Sequence, residues 1–163
     1  HEARVKTVID KNPDGWETIS KYDGSILVEK EFPHIEYLAD VPAVYNFKSY
    51  KTLSLPGAYS VDKYYRLARH LTWYEDEQLD EKEMELGRKL CRNEAPFDLV
   101  LSHTCPYLYE PTDLFLAGLD QSTVDSTMER YLGEIEFNLD YKRWPLDIFM
   151  PTGCIHGLMA DRC

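Results

Sequence analysis

The run Asp98-Leu-Val-Leu-Ser-His103-Thr-Cys-Pro106 carries the strongest chemical signal in the chain. Phe97 to Ser102 is a nearly continuous apolar stretch of the kind that forms a buried strand, and it delivers a histidine followed by a proline-containing turn. In open α/β sheets, ligands bind beyond the C-terminal ends of the strands. A histidine there can give one ring nitrogen to a metal while a backbone carbonyl fixes the other. A histidine that merely ends a strand and bonds locally accounts for the same residues equally well.

Other candidates are weaker. His34 follows Pro33 and reads as a surface turn residue. His70 lies near Tyr65, Arg66 and Arg69, a cluster that could face a phosphate; a solvated basic patch is the favoured reading. The acidic run from Glu75 to Glu85 reads as a solvated helix start rather than a cation site, and Trp16, Trp73 and Trp144 as packing residues. Cys91, Cys105, Cys154 and Cys163 include no Cys-x-x-Cys pair, which removes the zinc-ribbon and thioredoxin-type motifs. Reduced thiols in a cytoplasmic protein are expected.

The elements that must position these residues alternate between strands and helices. Residues 3–11 read as a helix, and Asn12 to Gly24, with Asn-Pro-Asp-Gly and Tyr-Asp-Gly, as turns. Strands are expected at 25–29, 35–39, 43–47 and 50–55, the last two forming a hairpin about Lys48-Ser49. Residues 61–74 read as a loop with a short helix. Asp80 to Asn93 has the acidic start and basic end of a helix, strand 97–102 follows, and Ser122 to Leu139 shows a helical apolar face. The fold class is α/β.

With 163 residues, 44% hydrophobic and 29% charged, the chain is long enough for one packed domain. A net charge of -11 argues against a nucleic-acid backbone as the main partner, so no sequence-specific nucleic-acid binding is indicated. Bound cations would still let an acidic chain handle phosphate esters. No apolar run approaches the roughly 20 residues of a membrane span. The chain opens on His1 rather than Met, so the natural start is expected upstream.

Taken in order, these residues resemble the calcineurin-like metallophosphoesterases of bacterial and phage type. That family carries D-x-H, G-D-x-x-D, G-N-H-[DE], a lone strand-end His, and G-H-x-H. Leu99-Val-Leu-Ser-His103-Thr-Cys-Pro106 looks like the fourth block, and His1-Glu2 like the end of the third. Pro56-Gly-Ala-Tyr-Ser-Val-Asp-Lys63 looks like the family's Gly-Gly-Ala-Tyr-Ser-Val-Asp-Lys loop, with Pro56 replacing a glycine. The likeness runs through residues 110–132 to Tyr141-Lys-Arg-Trp144, covering residues 1–144. It implies a two-sheet β-sandwich flanked by helices, of which this chain would carry the C-terminal half. It also implies two divalent cations (Mn, Fe or Zn) that bind phosphate oxygens while a bridging hydroxide attacks phosphorus. By the same resemblance His103 is a metal ligand and His1 assists the leaving oxygen. Asp62 and Lys63 line the rim of a phosphate-ester substrate site, with Arg66 nearby.

The pattern stops at Trp144. Pro145-Leu-Asp-Ile-Phe-Met-Pro-Thr-Gly153 follows where G-H-x-H is expected. Codons for these residues, read two bases later, can encode Gly-His-Phe-His-Ala-Asp-Arg. Residues 145–163 are therefore expected to be a frameshifted tail without evolved structure, and Cys154, His156 and Cys163 not to be a metal site. With the two upstream signatures missing as well, the resemblance implies an incomplete phosphoesterase, inactive as given and with exposed strand edges. The alternative is a non-catalytic remnant or small α/β binding module.

Overall fold

The computed structural model describes residues 12–110 and 124–145, together with the backbone of Leu146 and of Leu158–Asp161. The expected helix at 3–11 lies outside these residues, as does His1. Among the described residues the fold is mixed α/β, with two sheets and three α-helices.

The smaller sheet is an antiparallel meander of β1 (Trp16–Lys21), β2 (Gly24–Glu29) and β3 (Glu36–Tyr37). β1 lies within the stretch read as turns. The turns are there, at Pro13–Gly15 and at Tyr22-Asp23, but six residues of strand run between them. Only Trp16 and Ile19 are apolar in Trp-Glu-Thr-Ile-Ser-Lys, too few to announce a strand. Tyr22 and Asp23 both hold positive φ, 58° and 60°, the geometry of a two-residue hairpin whose twist matches its strands. β3 is shorter than the expected 35–39.

The larger sheet has the order β4-β5-β6-β7-β8, from β4 (Ala43–Phe47), β5 (Tyr50–Leu55), β6 (Phe97–Ser102), β7 (Tyr141–Leu146) and β8 (Leu158–Asp161). β4 and β5 form the expected hairpin, with Lys48 at φ 58° in its turn. β5, β6 and β7 are mutually parallel, while β8 returns antiparallel to β7. β7 was not expected: Pro145 breaks the look of a strand, since proline cannot donate to a ladder. The β8 backbone pairs with β7 inside the tail expected to lack evolved structure. A backbone ladder of this kind does not depend on which side chains it carries.

Three helices lie in the crossovers: α1 (Lys63–Ala68), α2 (Glu81–Glu94) and α3 (Thr127–Asn138). Asp80 caps α2 through a reciprocal box, accepting from Glu83 N–H at 2.8 Å while Glu83 accepts from Asp80 N–H at 2.9 Å. α3 starts later than the apolar face suggests. Asp125 accepts from the Thr127 N–H at 2.9 Å, and that local bond holds 124–126 out of the helix.

The main core packs α2 and α3 on the larger sheet. Met84 from α2 and Met128, Tyr131, Leu132 and Ile135 from α3 meet Leu53, Leu55, Phe97, Val100, Tyr141 and Trp144. A second cluster joins the sheets, with Ile26 and Val28 of β2 around Tyr45 of β4. Tyr45 is fully buried; its hydroxyl donates to Ser25 C=O and accepts from Ala39 N–H, both at 2.9 Å. A side chain on Gly24 would collide with the Tyr45 ring at 2.7 Å, so only glycine fits where the strands cross. No helix among the described residues is long and apolar enough to cross a membrane.

Candidate functional site

Three parallel strands end at one edge of the larger sheet, and that edge gathers the candidate segments. Leu55, the last residue of β5, pairs with Ser102, the last of β6. The Pro56-Gly57 loop therefore starts beside Ser102-His103. Gly57 takes φ 93°, a conformation that favours glycine, and Ala58 N–H reaches Glu77 C=O at 3.2 Å. On the other side, buried Trp144 donates its indole N–H to Ser102 Oγ at 2.8 Å. Ser102 in turn donates to Thr104 C=O at 2.6 Å, which closes the turn around His103.

His103 itself is exposed just past β6. The residues after it are anchored: Cys105 and Pro106 are buried, and Thr104 Oγ1 donates to Glu129 of α3 at 2.8 Å. The second Glu129 carboxylate oxygen is buried without a hydrogen-bond partner. Glu110, close by, has its carboxyl pushed up by burial and by the charge of Glu129. Sequence reasoning missed both glutamates, because nothing in their spacing marks Glu129 as the partner of Thr104 or Glu110 as the neighbour of Glu129.

The other candidates sit on the segment that follows the β5 loop, and each has an internal partner. Asp62 and Arg66 form an ion pair at 2.7 Å, and Arg66 also donates to Thr72 C=O at 3.2 Å. Lys63 places its ammonium 4.1 Å from the centre of the Trp73 ring, within cation–π range. Arg69 stacks at 5.7 Å on Tyr65. His70 closes α1 at φ 54°: its N–H bonds Leu67 C=O at 3.2 Å and Leu71 N–H bonds Arg66 C=O at 2.9 Å. That pair of bonds is the Schellman cap. It gives His70 a structural task that neither the phosphate-facing nor the solvated reading supplied. His34 is exposed in a turn, as expected.

Beside Lys63 lies a cleft of about 130 Å³ walled by Tyr59, Trp73, Glu75, Glu77, Gln78 and Asp125. The first part of the acidic run thus lines a cleft instead of starting a helix; α2 begins at Glu81. Burial raises the Glu77 carboxyl, whereas hydrogen bonds from Thr127 and Gln78 hold Asp125 down.

The metal question turns on the ligand set. Among the described residues, no group of three or more His, Cys, Asp or Glu side chains could hold a metal ion. His103 alone does not make a dinuclear centre. Cys91 and Cys105 are free thiols, both pushed up to about 11 by burial, which suppresses the thiolate needed for metal binding or attack. Comparison with known proteins adds no relative: no family model, curated protein or solved structure matches the chain.

Proposed function

We propose that the chain carries the C-terminal portion of a calcineurin-like metallophosphoesterase domain, a cytoplasmic hydrolase of phosphate esters. The observation that supports this most is the hydrogen bond from Trp144 to Ser102. It sets the end of β7 against the residue before His103. The place where the family's last His pair is expected, just after Trp144, is thus the strand edge that already bears His103 and the Pro56 loop. Ligands of open α/β sheets bind at such an edge.

On this reading His103 supplies an imidazole ligand and the Ser102–Thr104 turn fixes its place. Asp62, Lys63 and Arg66 lie on the rim toward the substrate. Two divalent cations would polarise the phosphate oxygens when bound. On the same reading the chain as given is inactive, because the resemblance finds only His1 and His103 among the family's site histidines and ligands. The same shortage, with Arg66 already paired to Asp62, favours a second reading as a non-catalytic remnant or small α/β binding module.

The test is a version extended upstream in frame and corrected by one base after Trp144. It is assayed with p-nitrophenyl phosphate and its diester in the presence of Mn. Metal-stimulated turnover is expected, falling by about 10–100-fold or more in His103→Ala. A folded extended protein with no metal-stimulated hydrolysis sinks the phosphoesterase reading and leaves the binding module.

A further inference from the structure

β1 is the terminal strand of the smaller sheet. It pairs with β2, and its other edge has no strand partner among the described residues. An open edge presents a row of N–H and C=O groups to any strand that fits. Edges are commonly blocked by proline, bulges or charges that repel a second strand. β1 contains no proline, and its register runs without a bulge from Trp16↔Glu29 to Lys21↔Gly24.

Its charges are one acid and one base, Glu17 and Lys21, placed symmetrically about Ile19. Strand alternation puts all three on one face. That face is shared by their register partners Val28, Ile26 and Gly24, and it packs into the second core cluster. Align two copies antiparallel with Ile19 opposite Ile19. Glu17 then faces Lys21 of the partner subunit, and the reciprocal pair forms on the other side. On the outer face Thr18 meets Ser20 of the partner subunit, twice. A centre at Thr18 sets Glu17 against an isoleucine, and a centre at Ser20 does the same to Lys21. The Ile19 register alone matches both charges and continues the apolar row from Ile26 through Ile19 into the second copy.

We infer that the β1 edge is a homodimer interface, joining two copies of this chain by a two-fold strand pairing centred on Ile19. Lys21 already holds Glu36, and its three donors leave room for a second carboxylate. Isologous pairing of this kind closes on itself and leaves no further edge at β1. A ladder of six residues is small beside a stable interface of about 1,200 Å² or more, so dissociation on the order of 100 µM is expected.

The test is sedimentation of the full chain across about 5 to 500 µM, with E17K, K21E and their equimolar mixture. Weight-average mass should climb toward twice the monomer for the unaltered chain. Each single swap sets like charges opposite each other and should weaken dimerisation about tenfold. The mixture should restore it, because both lysines of the E17K copy then face both glutamates of the K21E copy. A mass that stays monomeric throughout, or one that rises regardless of the swaps, overturns the inference. Amide exchange of Thr18 and Ser20, whose N–H groups face the open edge, guards in the unaltered chain against hairpin damage by K21E. Exchange should slow with concentration, and concentration-independent exchange counts against the interface.

Discussion

The hydroxyl of Tyr131 on α3 occupies the space that a side chain on Gly87 of α2 would need. A Cβ built on Gly87 would overlap that oxygen outright, with Tyr131 Cζ and Pro42 Cγ next at 3.3 Å. Gly87 is thus the point at which two core helices approach, and the helix tolerates a poor helix former for that reason. Gly87→Ala is expected to destabilise by about 1–3 kcal/mol, overriding the roughly 1 kcal/mol that alanine gains in propensity. Tyr131→Phe removes a buried hydroxyl that has no hydrogen-bond partner, so it should be neutral or mildly stabilising. In the Tyr131→Phe background the Gly87→Ala penalty should shrink by half or more. A urea double-mutant cycle checks this; additive effects would show that the hydroxyl is not what Gly87 accommodates.

His70 stands at the cap position of α1 where glycine is the usual residue. Left-handed backbone costs a residue with a Cβ roughly 1–2 kcal/mol. His70→Gly should therefore stabilise the chain by about 1 kcal/mol, while His70→Ala should gain nothing. Equal effects from the two substitutions, measured by urea denaturation, would mean that His70 contributes through its ring and not through its backbone.

Tyr45 links the two sheets through a single oxygen that both donates and accepts. Tyr45→Phe leaves Ser25 C=O and Ala39 N–H without that partner and should cost about 1–3 kcal/mol. The loss should appear first as faster amide exchange at Ala39 and in β2, ahead of β5 and β6. Uniform loosening of both sheets would argue against Tyr45 as the joint.

How much of this was legible follows from where each residue's partner sits. β4, β5 and β6 could be read to the residue because their apolar content is dense and bounded by turns. α2 was legible from its acidic start and basic end, while the reciprocal cap of Asp80 and Glu83 emerged only in the structure. β1 and β7 escaped because one is too polar and the other contains Pro145; what makes them strands is a neighbour far along the chain. The strand-end placement of His103 was readable, since it follows from β6 alone. The pairing of Lys63 with Trp73, of Arg66 with Thr72 and of Thr104 with Glu129 was not. Contacts of this sort depend on how crossovers pack, and a single sequence does not record that.

Two carboxylates should tilt the pH dependence of stability in opposite directions. Asp98 accepts from Lys142 Nζ at 2.6 Å and from Lys51 N–H at 2.9 Å, and these bonds hold its carboxyl below the usual range. A depressed folded value means that its contribution is fully present above the unfolded value of about 3.9 and is lost as pH falls through the folded one. Asp98→Asn should therefore lower stability at pH 7 and converge on the unaltered chain as pH falls through the folded value. Glu77 is raised, chiefly by burial. Its contribution is present below the unfolded value of about 4.3 and is lost as pH rises through the folded one. Glu77→Gln should then match the unaltered chain near pH 4 and gain on it toward pH 7. Urea midpoints at pH 3, 4, 5 and 7 separate the two. Parallel curves for Glu77→Gln and the unaltered chain would show that burial does not disfavour the Glu77 charge, and the cleft beside Trp73 would then be better solvated than its walls indicate.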